Sequence, residues 1–74
     1  MDEPIHNLDV VALLADLPEE HLAAGQTGTV VLTHGGGEAF EVEFILRPGH
    51  SVVVTLPRRR LLKLKGPSYS AKVS

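Results

Sequence analysis

The chain of 74 residues contains no cysteine and no tryptophan, and its aromatic side chains are limited to Phe40, Phe44 and Tyr69. Without cysteine, neither a disulfide framework nor a thiolate zinc site can staple the fold. One hydrophobic core must therefore suffice, at a length where a single core is only just enough. The shortage of aromatics excludes two ligand classes. Proline-rich peptides need an aromatic-lined groove and methylated lysine needs an aromatic cage, and neither can be built from two core phenylalanines and a tyrosine close to the chain end. No apolar run approaches the roughly 20 residues that span a bilayer. The start, Met1-Asp-Glu-Pro-Ile5, lacks the basic and apolar regions of a signal peptide. These absences predict a cytoplasmic protein with no membrane partner.

Charge of one sign is missing from each part of the chain. No basic residue precedes Arg47 and no acidic residue follows Glu43, so the first part carries −9 and the remainder +7, a sum of −2. That sum argues against a dedicated nucleic-acid binder. The polarity predicts either that the two parts attract as the fold closes, or that the surface is two-signed and recognises another charged protein.

What is present is organised around Gly25 to Phe44. Thr27 to Thr33 is rich in β-branched residues, Gly35-Gly36-Gly37 forms a hinge, and Ala39 to Leu46 alternates, with Phe40, Val42 and Phe44 on one face and Glu41 and Glu43 on the other. This spacing predicts a β-hairpin with the phenylalanines in the core and the glutamates toward solvent. Gly28 opens its strand, where a missing side chain marks a bulge or a close backbone crossing. Before the hairpin, Leu8 to Leu14 has the length of a strand, preceded by a polar arm whose only anchor is Ile5. Its inward parity is not fixed by the run itself. Asp16 to Gly25 reads as a long loop containing one turn, pinned to the core by Leu17 and Leu22. A helical turn with Asp16 as N-cap and Glu19 three residues on is the alternative. After the hairpin, Pro48-Gly49 predicts a tight turn and Ser51 to Leu56 a fourth strand stopped by Pro57. Arg58-Arg59-Arg60 suits a single 3₁₀ turn. Leu61 to Lys65 is the fifth strand, ended by Gly66-Pro67. Residues 1–66 are thus expected to form one domain with a short N-terminal arm, and 67–74 a polar tail.

Five short strands, a long first loop, two tight hairpins and a 3₁₀ turn before the last strand predict an all-β, five-stranded SH3-like barrel. The blocks Leu8-Asp-Val-Val-Ala-Leu13, Asp16-Leu-Pro-Glu19, Gly25-x-x-Gly28-Thr-Val-Val31, Gly37-Glu-Ala-Phe-Glu-Val-Glu-Phe44 and Thr55-Leu56 resemble a family of small bacterial proteins known as a domain of unknown function. The resemblance runs from Leu8 to Leu64. It implies a stand-alone SH3-like barrel in a bacterial cytoplasm, and the family brings no assigned catalytic residues to carry over. The Gly25-x-x-Gly28-x-Val30 element is also similar to the start of the ribosome-associated KOW motif.

No catalytic constellation stands out. His6, His21, His34 and His50 are too far apart along the chain for a local zinc clamp, although His34 and His50, each beside a turn, would make a pair if the fold brought the two turns together. Ser51 and the serines from Ser68 to Ser74 lack the strand-turn-helix elbow of a nucleophile. The glycine triplet lacks the helix and Lys-Ser/Thr of a phosphate cradle. A barrel this small is filled by its own side chains. The expectation is a non-enzyme with no metal, no cofactor and no small-molecule substrate.

A nucleic-acid reading rests on Arg47, Arg58, Arg59, Arg60, Lys63 and Lys65 as phosphate contacts. It lacks stacking aromatics and must overcome repulsion from Glu41 and Glu43, so a KOW-like nucleic-acid-binding barrel using Arg58, Arg59 and Arg60 is the runner-up. The leading reading is a protein-interaction module. Val30-Val31-Leu32, Phe44-Ile45-Leu46 and Val52-Val53-Val54 are apolar at both parities. If Val30 and Phe44 point inward, Val31, Ile45 and Val53 form an outward apolar patch with Glu41 and Glu43 at its rim. The partner is expected to be another copy of the chain or an unlike protein, such as a toxin neutralised by an antitoxin-like or immunity-like module, or an enzyme it stabilises. The Arg58 to Arg60 turn is expected to edge a groove shared with the acidic loop Asp16 to Glu20.

Overall fold

A computed structural model describes residues 4–67. The polar tail expected over 67–74, with Tyr69, lies outside the described residues apart from Pro67. The chain forms β1 (Asp9–Leu13), a 3₁₀ turn (Pro18–Glu20), β2 (Thr27–His34), β3 (Ala39–Arg47), β4 (His50–Pro57), a second 3₁₀ turn (Arg58–Arg60) and β5 (Leu61–Pro67). All neighbours are antiparallel and the sheet order is β4-β3-β2-β1-β5. β5 continues through Gly66 to Pro67, which an edge strand tolerates because its outward side needs no N–H donor.

The sheet is open: β4 and β5 are its two edges and do not pair with each other. The expected closed barrel is corrected to this extent. Its cause lies in the connection, because Arg58–Arg60 carries the chain from one edge to the other in three residues, leaving a corner where no ladder forms. The same connection forces strong curvature. A flat five-stranded sheet would set its edge strands roughly 19 Å apart, whereas a three-residue 3₁₀ turn advances about 6 Å. The turn is fastened at both ends, by Arg58 N–H to Glu38 O at 3.2 Å and by Leu14 N–H to Arg60 O at 2.9 Å.

The concave face holds the core: Ile5, Val11, Leu13, Leu22, Val30, Phe40, Val42, Phe44, Leu56 and Leu61, with Leu17, Val52 and Val54 packed against it. This settles the inward parity of β1 and β4. Ile5 is the anchor of the arm and Leu22 that of the long loop, whose ends meet in a Leu17–Leu22 bridge. The loop contains one 3₁₀ turn without a side-chain cap, and Asp16 instead accepts from the Ala24 N–H through Oδ1 at 2.8 Å, holding the loop shut. Gly35, Gly36 and Gly37 all have positive φ, from +57° to +113°, which explains why the β2–β3 turn opens with three glycines before Glu38.

Gly28 answers to a different requirement. Its φ is unexceptional, but a Cβ there would lie 2.7 Å from Val42 Cγ1, 2.8 Å from Glu43 O and 2.9 Å from Phe44 Cδ1. Two of these neighbours are core side chains and the third is backbone in the next strand, so none can yield cheaply. Gly28→Ala is therefore expected to destabilise by about 1–3 kcal/mol, measured by urea denaturation; an unchanged midpoint would contradict the close crossing.

Candidate functional site

An irregularity in β2 shapes the convex face of β2, β3 and β4. Val30 pairs with Val42 and Leu32 with Glu41, so Val31 is an extra residue in β2. Such a bulge lets two successive residues share a face, and Val31 and Leu32 are both exposed, at 40% and 44%, while Val30 is fully buried. On β3 the alternation carries through, with Phe40, Val42 and Phe44 buried and Glu41 and Glu43 half-buried on the convex side. Beyond them Ile45 is 70% exposed, and on β4 Val53 is 51% exposed between the half-buried Val52 and Val54. The bulge and the β-pleat thus place Val31, Leu32, Ile45 and Val53 on one face of three adjacent strands.

Register corrects the expected position of the glutamates. Glu43 stands opposite Thr29 on β2 and Val53 on β4, and Glu41 opposite Leu32 and Thr55. The carboxylates therefore run down the middle of the patch and do not rim it. Each is held sideways by one neighbouring strand: Glu43 Oε2 accepts from Ser51 Oγ at 2.9 Å, and Glu41 Oε2 meets His34 Nε2 at 2.9 Å. These exposed contacts each contribute about 0–1 kcal/mol, so their effect is to fix an acidic line between two apolar strips.

His34 and His50 do not meet. His34 lies opposite Ala39 at one end of β3, and His50 lies opposite Arg47 at the other. His50 contacts Arg47 Nη2 at 3.3 Å and the Pro48 carbonyl at 3.5 Å. Among the described residues, no group of three or more His, Cys, Asp or Glu side chains is placed to hold a metal ion.

The basic residues also separate. Arg47 ends β3, just before β4 begins, and Arg58, Arg59 and Arg60 follow the far end of β4, so they do not form one continuous track. Among the described residues, Arg59 and Arg60 make no ion pair with Asp16, Glu19 or Glu20. What ties the second 3₁₀ turn to the base of the acidic loop is the Leu14–Arg60 backbone bond, and Arg58 Nη1 donates to Leu61 O at 2.8 Å. Lys63, on β5, turns toward the neighbouring β1 and the arm: its Nζ lies 3.3 Å from Asp9 Oδ2 and 3.1 Å from Pro4 O.

Asp9 is the polar residue that pattern reading missed. It is 1% exposed, and besides Lys63 it accepts the His6 N–H through Oδ2 at 2.8 Å, while its own N–H bonds His6 O at 3.1 Å. Together these contacts lash the arm, β1 and β5. An open groove of about 640 Å³ lies next to this lashing, between Pro4–Asn7, Gly36, Gly37, Phe40 and Arg58. Thr33 Oγ1 donates to Asn7 Oδ1 across it at 2.8 Å.

The molecule is thus a small all-β protein built on one open, curled antiparallel sheet, with an exposed apolar face and an ion pair between the buried Asp9 and the half-buried Lys63 that serves the fold. The family described as "Domain of unknown function (DUF4926)" matches residues 7–63, and the chain belongs to that family. No curated protein and no solved structure matches it. Among the described residues, no helix is long and apolar enough to cross a membrane.

Proposed function

We propose that the protein is a non-catalytic protein-interaction module of SH3-like architecture. The architectural half of the reading is supported by the strand order, the long first loop and the 3₁₀ turn joining the two edges, since these are the order and connections such a barrel uses. The functional half is carried by one observation: Val31, Leu32, Ile45 and Val53 are exposed together on the convex face of three adjacent strands. A core this small has room for only one parity, and large apolar side chains gathered on the other are what a docking face offers. With Glu41 and Glu43 running between them, the complementary partner is an unlike protein presenting apolar side chains and cations, of the kind a toxin-neutralising or enzyme-stabilising module would cover. The polar residues that are held by their neighbours, His34, Glu41, Glu43 and Ser51, give that face a polar line of fixed geometry.

A specific interface usually hides roughly 800 Å² per partner, and a charge placed near its centre should break it. Val53→Glu sets a carboxylate opposite Glu43 and is expected to lower stability in urea by about 1 kcal/mol while leaving the chain folded, as like charges across a ladder do. It should lose the partner that wild type retains in affinity capture from the source cell. Light scattering of both proteins distinguishes self-association from an unlike partner. If Val53→Glu remains folded and captures everything that wild type captures, the face is not the contact surface. Binding of labelled RNA or DNA at micromolar concentration and physiological salt, abolished by Arg58→Ala with Arg59→Ala, would replace this reading with the nucleic-acid one.

A further inference from the structure

The two edges of the sheet differ in a way that bears on how a partner is held. An edge strand presents an unpaired N–H and C=O at every second residue, and natural edges are blunted by lysine, proline or bulges. β5 carries Lys63, Lys65 and Pro67, and its pairing with β1 is broken by register shifts. β4 carries none of these between Ser51 and Leu56: the run Ser-Val-Val-Val-Thr-Leu is uncharged and β-branched, and its register with β3 is unbroken from Ala39–Pro57 to Ile45–Ser51. Among the described residues its other side pairs with no strand. The ends of this edge are basic, with the exposed Arg47 before it and the exposed Arg59 after it.

We infer that the open edge of β4 accepts an extended segment of an unlike protein as a sixth strand, with an uncharged β-branched centre and acidic residues at both ends. Main-chain hydrogen bonds along Ser51–Leu56 would hold the segment, as in other strand-addition complexes, and Arg47 and Arg59 would pair with its acidic ends. Charge also disfavours a second copy of this chain. A two-fold antiparallel pairing about the middle of β4 brings Arg47 of each copy to the Arg58–Arg60 turn of the other, cation against cation. The inference rests on the protein-binding reading above but concerns a different surface, because strand addition uses the backbone at the edge, whereas the convex face uses side chains pointing out of the sheet.

The probe is a labelled synthetic peptide of about ten residues, long enough to run the length of β4, with two glutamates at each end of an alternating threonine–valine centre. Binding to the whole chain is followed by fluorescence anisotropy and by amide hydrogen exchange. The expected result is saturable binding with new protection confined to Ser51–Leu56. The same peptide N-methylated at alternate residues should bind at least about tenfold more weakly, because its edge can no longer donate. Replacing its glutamates by lysines, or making Arg47→Glu with Arg59→Glu in the protein, should weaken binding by about tenfold or more. Equal affinity for the N-methylated peptide, protection on β5, or no binding would each overturn the inference. Concentration-dependent protection of Ser51–Leu56 without peptide would assign the edge to a second copy and likewise overturn it. Failure of the peptide while Val53→Glu still releases the captured partner would remove the edge and leave the convex face standing. Peptide binding with no sensitivity of capture to Val53→Glu would do the reverse.

Discussion

Phe44→Ala is expected to cost about 3–5 kcal/mol, the range for removing a fully buried phenylalanine. The side chain has no exposed surface, stands opposite Val52 in the ladder and lies against the place where Gly28 lacks a Cβ. That neighbourhood cannot collapse into the void, since Gly28 has no side chain to move and Val42 is fixed in the same strand. For a chain of this length a total stability of about 4–11 kcal/mol is ordinary, so the variant should be marginally folded or unfolded at 37 °C. Urea denaturation at low temperature measures it. A loss below about 1 kcal/mol would mean that Phe44 does not stand at the centre of the core.

Asp9→Ala should be the next most damaging change, at about 2–4 kcal/mol. It removes the acceptor of the His6 N–H and the Asp9 contact of Lys63 Nζ, whose side chain is only 17% exposed. The partly exposed lysine can recover some hydration, which keeps the expected loss below that of a fully buried pair. Asp9→Asn preserves an oxygen acceptor and should cost less than Asp9→Ala. The double change Asp9→Leu with Lys63→Met should recover part of the loss, because two apolar groups carry no desolvation cost, while the His6 N–H still lacks its acceptor. Hydrogen exchange gives an independent readout: releasing the His6–Asp9 turn should speed exchange at His6 without reaching Val42 or Phe44. If Asp9→Ala unfolds at the wild-type urea concentration, the lashing is decorative.

The strands were legible because each carries a local signal. Phe40, Val42 and Phe44 alternate with glutamates, Gly35–Gly37 and Pro48-Gly49 mark the hairpins, and Pro57 before three arginines marks the 3₁₀ turn. Three features were not legible, each for a physical reason. The Val31 bulge depends on the register of β2 against β3, and a run apolar at both parities signals only that something breaks the alternation. Asp9 lies within a run that reads as an apolar strand, and its partner Lys63 is on the last strand, so nothing nearby in the chain announces the pair. Whether the sheet closes is decided at the Arg58–Arg60 corner, where backbone geometry and not residue type determines if a ladder can form. The apolar members of the convex patch could be nominated from Val30-Val31-Leu32, Phe44-Ile45-Leu46 and Val52-Val53-Val54. The central position of Glu41 and Glu43 required the pairing of β3 with both its neighbours.

The convex face of β2, β3 and β4 is the proposed seat of a protein partner. Hydroxyl-radical footprinting of the chain alone and in the complex retrieved by affinity capture tests it residue by residue, because exposed valine, leucine and isoleucine side chains are oxidised and covered ones are spared. Labelling of Val31, Leu32, Ile45 and Val53 is expected to fall together on binding, while Leu62 and Leu64, exposed elsewhere on the sheet, keep theirs. Unchanged labelling of those four residues in a complex that protects Leu62 and Leu64 would contradict it.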